Sequence, residues 1–427
     1  YKPPHLQDAQ LLLSIEQQPT RIRSLDKKGI HSEFYLFGLH KLIFKNMPLA
    51  IQYWQKAQLN DSQNQAFISY VALHKAVHNQ PDASQWFAKL RPAYYNDDLI
   101  EWRIRDALKQ HRWEDVRRLS QLNSHKDEAI WQYWLARALD AQGHTLEAKK
   151  IYTNLASHKN YYYGFLASMR LHQPWKVNQQ TLPIQTQHIR AYKPITDTIK
   201  QLYLKHDTRQ ANQLLQDFIS ELPSNEKAAI LYWVLTDLKW YGKAVTLSDN
   251  DDLRAYTSLR FPLLYRSWIQ KMAKQYQLSP AFIYAVIRQE SGFYETIGSS
   301  AGAQGIMQIM PDTAKMISRF AHIPYRNAAE LSSYDKNIQM GTAYLHHLAI
   351  LFNQQPVLML AAYNAGPRQV HRWLAHNEQQ EVDIWIESIP WRETRNYIKN
   401  IVMFYLIYQD ILKEPTNYPR LLKPVEG

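Results

Sequence analysis

Glu290 combines a chemically useful residue type with an unusual position. The run that precedes it, AFIYAVIRQ, places apolar residues at helical spacing, and Ser279 with Pro280 supplies an N-cap and a first-turn proline. Glu290 therefore ends an apolar helix, and Gly292 stops it. That end of a helix carries partial negative charge and burial disfavours a carboxylate, so both effects raise the pKa of Glu290. An acid that stays protonated near neutral pH can protonate a glycosidic oxygen.

An isolated glutamate in the last turn of a helix is usually an exposed surface residue. The segment that follows Glu290, ESGFYETIGSSAGAQGIMQIMP, favours a chemical role instead. It contains Glu-Ser, an aromatic residue two positions later, a serine, and the run Gly-Ala-x-Gly-hydrophobic-Met-Gln-hydrophobic-Met-Pro. This pattern resembles the signature of soluble lytic transglycosylases of the Slt type. The matching residues are Glu290, Ser291, Phe293, Ser299, Gly302, Ala303, Gly305, Met307, Gln308, Met310 and Pro311.

Three later segments resemble the same family and occur in the family's order. They are YDKNIQMGTAYL, with Asn337, Gly341, Tyr344 and Leu345; AAYNAGP, with Tyr363, Asn364, Ala365, Gly366 and Pro367; and IPWRETRNYIKNI, with Glu393, Thr394, Arg395 and Tyr397. The resemblance is sharp from about residue 268 to 407. In residues 1–255 it concerns the architecture only.

The resemblance implies a lysozyme-like fold for the C-terminal segment and Glu290 as the catalyst. It also implies that Ser299 and Tyr363 lie beside the carboxylate, and that other residues bind substrate in a groove. The substrate-binding candidates are Ser299, Gln308, Met310, Tyr344, Tyr363, Asn364 and Glu393. Structural alternatives remain open for several of them. Tyr344 suits helix packing, Met310 suits a core, and Asn364 suits a turn with Gly366 and Pro367.

Most glycosidases use two carboxylates, but Glu295 and Asp312, the acids nearest to Glu290 in this segment, match no nucleophile of the family. The resemblance implies a carbon–oxygen lyase with a lone acid/base, which cleaves the MurNAc–GlcNAc β-1,4 bond and forms 1,6-anhydro-MurNAc. Exolytic action in cell-wall turnover and remodelling would follow. No cofactor or metal is expected, because the sequence has no HExxH motif and no clustered ligands among its 17 histidines. The alternatives are a goose-type lysozyme-like hydrolase and a non-catalytic glycan-binding scaffold.

The remaining sequence predicts an all-α protein with three domains. Segment DEAIWQYWLARALDAQGHTLEAKKIYTNLA reads as a helix hairpin divided at Gly143, and weaker copies recur upstream, which indicates an α-solenoid. Pro174 and Pro183 interrupt the helical pattern, and SDNDD at 248–252 reads as an acidic link. We therefore expect a superhelical α-solenoid at 1–175, a helical linker domain at 176–252 and a lysozyme-like domain at 253–427.

Composition limits the possible partners. The net charge of +12 divides into +8 for residues 1–255 and +4 for the rest, without a dense basic run, so we expect no nucleic-acid partner. A diffuse positive field suits an anionic polymer such as peptidoglycan glycan strands. No stretch is apolar enough to span a membrane, and the opening YKPPHLQDAQ lacks a signal-peptide core. We expect a periplasmic monomer whose export signal has been removed, with cell-wall synthesis or divisome proteins as candidate partners.

Overall fold

The computed structural model of the protein describes residues 4–25, 30–182, 186–294, 298–375, 380–416 and 421–425. Helices dominate these residues, and extended pairing within them is limited to isolated bridges. The prediction of an all-α chain is confirmed. Two compact units can be distinguished, Tyr1–Ile151 and Tyr152–Gly427, which we call the first and second units. The three-domain division stays a prediction.

The first unit is built from short helices. It contains α1 (Pro4–Gln17), α2 (Ile30–Gln55), α3 (Asp61–Val77), α4 (Ala83–Phe87), α5 (Asp97–Lys109), α6 (Trp113–Leu122) and α7 (Ala129–Ala141), with 3₁₀ turns at Pro19–Ser24 and Pro92–Tyr94. Helix α8 (Thr145–Ser157) crosses the boundary between the units.

The two helices predicted on either side of Gly143 are confirmed as α7 and α8. Gly143 has φ +83°, a left-handed conformation that glycine adopts without steric cost, and it separates the two helices. Trp131 and Trp134 of α7 and Tyr152 of α8 are buried, as their helical spacing predicts. These three aromatic residues therefore serve as core.

The second unit carries the longer helices. Its helices are α9 (Tyr162–Arg170), α10 (Thr186–Ala191), α11 (Lys193–Leu204), α12 (Thr208–Ser220), α13 (Ser224–Thr236), α14 (Tyr241–Leu247), α15 (Thr257–Arg260), α16 (Arg266–Tyr276), α17 (Pro280–Glu290), α18 (Pro311–Phe320), α19 (Tyr334–Leu351), α20 (Pro356–Ala365), α21 (Pro367–Leu374), α22 (Val382–Ser388) and α23 (Arg392–Leu412), with 3₁₀ turns at Asp251–Leu253 and Ala328–Ser332. Helix α9 belongs to this unit.

Helix α17 packs along α23 through aromatic side chains. The ring of Phe282 meets that of Tyr405 edge-on, with centroids 5.3 Å apart. The ring of Tyr284 stacks on that of Tyr408 at 5.0 Å. Such pairs hold two helices at a defined separation and rotation. The packing of these two helices therefore decides which residues of α23 face the end of α17.

The acidic segment 248–252 is tied to the body of the second unit. Asp249 forms ion pairs with the buried side chains of Arg260 and Arg288. Arg288 also donates from Nε to the carbonyl oxygen of Arg260 at 2.8 Å. Because Arg288 lies two residues before Glu290 on α17, this segment secures the end of the helix that carries the candidate acid.

Candidate active site

Helix α17 has the bounds that its sequence predicts. Ser279 caps the first turn, where its Oγ accepts a hydrogen bond from the backbone N–H of Phe282, and Pro280 occupies the first helical position. Glu290 is the last helical residue, and Gly292 follows with φ +54°. The predicted start and stop signals are confirmed. Glu414 strengthens the helix start, because its Oε1 accepts from the backbone N–H of Ala281 at 3.1 Å.

The carboxyl group of Glu290 lies in an environment that disfavours its charge. Burial raises the pKa of Glu290 to about 7, the hydrogen bond from Tyr397 opposes this rise, and the negative charge of Glu393 adds to it. The hydroxyl of Tyr397 donates to Oε1 of Glu290 at 2.5 Å. Among the described residues no cation forms an ion pair with Glu290. Glu290 is thus suited to hold a proton near neutral pH and to release it.

Tyr397 was not among the candidate site residues, although it lies in a segment that matched the family. It is nearly completely buried, and burial, followed by the charge of Glu290, raises its pKa well above the usual value. Its hydroxyl therefore remains a donor toward Glu290. Tyr397 lies four residues after Glu393 on α23, so the two side chains share one face of the helix. The four-residue spacing from Glu393 was the feature of the sequence that could have identified Tyr397 as a site residue.

Tyr363 lies in the last turns of α20, with its hydroxyl donating to the backbone oxygen of Met307 at 2.7 Å. Burial, and then the nearby charge of Glu290, raises its pKa well above the usual value. The structure therefore places Tyr363 close to Glu290. Tyr344 is buried on α19, and its ring centroid lies 5.4 Å from that of Tyr363. Tyr344 therefore packs against Tyr363, and substrate binding by Tyr344 stays a prediction.

The loop between α17 and α18 is held by buried polar side chains. Ser291 donates from Oγ to the backbone oxygen of Ile306 at 2.8 Å and ties the helix end to the loop. Asn337 accepts from the backbone N–H of Met307 at 2.8 Å and donates to the oxygens of Gln304 and Leu331 at 2.9 Å.

Gly305 allows this close approach. Its φ is +73°, and a Cβ there would lie 2.2 Å from Nδ2 of Asn337. A side chain at position 305 would therefore push the loop away from Asn337. The close contact with Asn337 therefore explains why the matched motif has glycine at position 305.

Three predicted substrate-binding residues lie on this loop. Ser299 is exposed, its Oγ accepts from the backbone N–H of Ala303 at 2.9 Å, and within the described residues no hydrogen bond joins it to Glu290. Gln308 has φ +48° and donates from Nε2 to the oxygen of Gly305 at 2.8 Å. Met310 is the N-cap residue of α18 and is 39% exposed, so it offers an apolar surface rather than core.

The last two predicted residues lie where α20 ends and α23 begins. Asn364 accepts from Oγ1 of Thr394 at 2.6 Å, which links the two helices. Gly366, with φ +85°, and Pro367 form the turn into α21. Asn364 therefore has a cross-helix partner in addition to the turn considered for it. Glu393 is exposed in the first turn of α23, where a carboxylate can face a ligand.

No second carboxylate approaches Glu290 closely enough to share its chemistry through a hydrogen bond, as far as the described residues extend. Asp312 lies in the first turn of α18, where Met310 rather than Asp312 is the N-cap, and it pairs with Lys315 at 3.1 Å. Glu295 lies outside the described residues. The part of the chain that the structure describes contains no group of three or more histidine, cysteine, aspartate or glutamate side chains that could hold a metal ion. The geometry suits proton transfer by one carboxyl group.

Residues 267–386 match the family model described as Transglycosylase SLT domain. The chain carries an SLT domain. A second model, described as Soluble lytic transglycosylase helical domain, matches residues 388–416, the stretch that contains α23. Helix α17, with Glu290, thus lies within the first match. Tyr397 of α23, which donates to Glu290, lies within the second match.

Two known proteins similar to this chain are named soluble lytic murein transglycosylase. It is 29% identical over 368 residues to the soluble lytic murein transglycosylase of Salmonella typhimurium, a match that covers 84% of this chain and 56% of the relative. It is 28% identical over 365 residues to the protein of that name from Escherichia coli, covering 83% and 56%. The chain therefore spans little more than half the length of these curated relatives.

A solved structure shares the fold of the whole chain. It is that of an inactive glutamate-to-glutamine mutant of lytic transglycosylase Slt from Pseudomonas aeruginosa, with a TM-score of 0.87 and 27% identity, covering 100% of this chain and 71% of the other. The helical architecture of the SLT domain and of the helices that precede it is therefore that of a lytic transglycosylase. Within the described residues, no helix combines the length and the hydropathy needed to span a bilayer.

Proposed function

We propose that the protein is a peptidoglycan lytic transglycosylase that cleaves the MurNAc–GlcNAc β-1,4 bond with Glu290 as its only acid/base catalyst. One observation carries this proposal. Glu290 is a desolvated carboxyl group with a raised pKa, a tyrosine hydroxyl on Oε1 and no cationic partner among the described residues, and it lies within an SLT domain. Such a group is a general acid near neutral pH.

The reaction can be written with one carboxyl group. Glu290 gives its proton to the oxygen that joins C1 of MurNAc to C4 of GlcNAc, and the C1–O bond breaks while the 2-acetamido group of MurNAc assists. The Glu290 carboxylate then removes the proton from the 6-hydroxyl of the same MurNAc, whose oxygen forms a bond to C1. The product is 1,6-anhydro-MurNAc, and Glu290 ends the cycle protonated.

Tyr397 suits both halves of this cycle. Its hydroxyl donates to Glu290, and a hydrogen bond to the charged form of an acid stabilises that form. With burial alone, Glu290 would bind its proton too tightly to transfer it. The hydrogen bond from Tyr397 lowers the free energy of the carboxylate that forms during the reaction. The opposing effects keep the pKa of Glu290 at about 7, between those of a free glutamate and a permanently protonated acid.

The named relatives support the proposal at the level of activity. Two proteins that align with more than four fifths of this chain are named soluble lytic murein transglycosylases. The Pseudomonas aeruginosa mutant, which replaces a glutamate by glutamine, is described as inactive. We extend the proposal to exolytic action in cell-wall turnover, a periplasmic location and a monomeric state, with glycan strands as the substrate and cell-wall synthesis or divisome proteins as further partners.

Mass analysis of the muropeptides released from purified sacculi tests the reaction. We expect products that end in 1,6-anhydro-MurNAc, because the 6-hydroxyl replaces water as the acceptor. A goose-type lysozyme-like hydrolase would release products heavier by one water with reducing ends. A glycan-binding scaffold would bind sacculi and release nothing. Either result would overturn the proposal.

A further inference from the structure

A second buried carboxylate lies beside α23. Glu387, at the end of α22, is 1% exposed and forms an ion pair with Lys399 of α23. Its Oε1 also accepts from the hydroxyl of Tyr163, on α9, at 2.8 Å. Lys399 donates to the same hydroxyl at 2.7 Å. Three side chains from three helices thus form one closed cluster, which we call the α9 clamp (Tyr163, Glu387 and Lys399).

The main effect of the α9 clamp is to fix the relative positions of its three helices, because its net contribution to the free energy of folding is small. Removing two charges from water costs several kcal/mol for each ion, and their attraction repays this only with good geometry and further hydrogen bonds. The hydroxyl of Tyr163 supplies such bonds, because it donates to the carboxylate and accepts from the ammonium group. A cluster of this kind tolerates little displacement of its members, so it fixes the helices that carry them.

The α9 clamp and the candidate acid meet α23 on different faces. Lys399 follows Tyr397 by two residues, and two residues correspond to more than half a helical turn. Tyr397 points to Glu290 of α17, while Lys399 points to α9 and α22. The rotation of α23 about its axis is therefore constrained from both sides.

We propose that Tyr163 is a positioning residue for the candidate acid, because the α9 clamp holds α23 in the rotation at which Tyr397 reaches Glu290. The inference rests on the proposed function of Glu290. It assigns a role in the chemistry to a residue outside the SLT domain, which matches residues 267–386 only. Tyr163 touches neither Glu290 nor Tyr397 in the described contacts and acts through Lys399 and Glu387.

A matched pair of variants in the full chain tests this role. Tyr163→Phe removes the hydroxyl from the α9 clamp, and Tyr94→Phe removes a hydroxyl of the first unit that donates to Asp61 at 2.8 Å. With purified glycan strands, we expect Tyr163→Phe to lower kcat on the order of 10-fold, because small displacements at a reacting group are costly, with KM changed less than about twofold. The basic limb of its kcat–pH profile should move to higher pH, since Glu290 loses the donor that lowers its pKa. Tyr94→Phe should match the wild type.

A double-mutant cycle separates positioning from general loosening. If Tyr163 acts through the bond between Tyr397 and Glu290, its substitution should have no further effect on kcat when Tyr397→Phe is already present. Independent effects that multiply would overturn the inference, and so would a folded Tyr163→Phe variant with the wild-type kcat and pH profile. In either case wild-type release of 1,6-anhydro products would leave the proposed function standing, so the two failures are distinguishable.

Discussion

The two faces of α23 place similar groups in opposite electrostatic situations. On one face the carboxyl group of Glu290 accepts a hydrogen bond from Tyr397, and on the other Glu387 accepts one from Tyr163. Glu387 is almost completely buried, whereas the side chain of Glu290 is half-buried, with its carboxyl group largely desolvated. Glu387 has Lys399 beside it, whereas no cation pairs with Glu290 among the described residues. The difference between a structural carboxylate and a candidate acid is therefore the counter-charge.

This comparison explains why burial alone does not identify a catalytic acid. A buried carboxyl with a lysine keeps its charge, because the pair compensates part of the desolvation cost. A buried carboxyl without one lowers that cost by keeping its proton, which raises the pKa of Glu290 to about 7. The C-terminal end of α17 and the charge of Glu393 act in the same direction.

The largest effect is expected from Glu290→Gln, which removes the transferable proton while it keeps the shape of the side chain. Turnover of glycan strands should fall by about 10³-fold or more, with glycan binding retained. Asp312→Asn is the matched control, because it removes an exposed carboxylate from the same segment. Steady-state kinetics and binding to sacculi measure both quantities. If Glu290→Gln retained a tenth of the activity, a different group would be the acid.

The difference in stability between Glu290→Gln and the wild type should depend on pH. The pKa of Glu290 is higher in the folded than in the unfolded chain, so the contribution of its protonated form to stability is fully present below the unfolded value of 4.5 and is lost as pH rises through about 7. At pH 8 the free energy of unfolding of Glu290→Gln should therefore exceed that of the wild type by about 1–3 kcal/mol, which thermal unfolding would show as a higher Tm. At pH 4 the two proteins should differ little. Equal stability at both pH values would mean that Glu290 carries no desolvation cost.

A smaller effect is expected from Tyr397→Phe, which leaves Glu290 as a buried acid without its donor. We expect kcat to fall about 10- to 100-fold, in the range of a lost hydrogen bond to a charged group, with the basic limb of the pH profile displaced upward. Tyr408→Phe is the control on the same helix, since its hydroxyl bonds only weakly to the oxygen of Pro262 at 3.4 Å. A pH profile that stayed in place in Tyr397→Phe would contradict the role given to its hydroxyl.

Local signals in the sequence predicted the helix that carries Glu290. Ser279, Pro280 and Gly292 mark its ends, and each acts through a neighbour a few residues away. The family resemblance supplied the other candidates, and the structure brings Tyr363 close to Glu290 while Ser299 bonds within its own loop. The prediction of an all-helical architecture followed from the helical periodicity of the sequence.

Contacts between residues far apart in the chain could not be predicted from the sequence. Tyr397 and Glu290 are 107 positions apart, and Tyr163 and Glu387 are 224 positions apart. Spacing cannot reveal such pairs, because they depend on which faces of packed helices meet. Asp249 is a further example. The sequence around it predicts an acidic link, whereas in the structure Asp249 forms ion pairs with two buried arginines. The N-terminal helices offered only repeat-like patterning, from which no individual site residue could be chosen.

Direct titration of Glu290 tests the central claim. In the full chain labelled with ¹³C at the glutamate side-chain carboxyl carbon, NMR spectra from pH 3 to 9 should contain one resonance with a midpoint near 7, the value to which burial raises the pKa of Glu290. That resonance should be absent from Glu290→Gln and should move to a higher midpoint in Tyr397→Phe. The account would be contradicted if the resonance lost in Glu290→Gln titrated below pH 5, as the carboxyl of an exposed glutamate does.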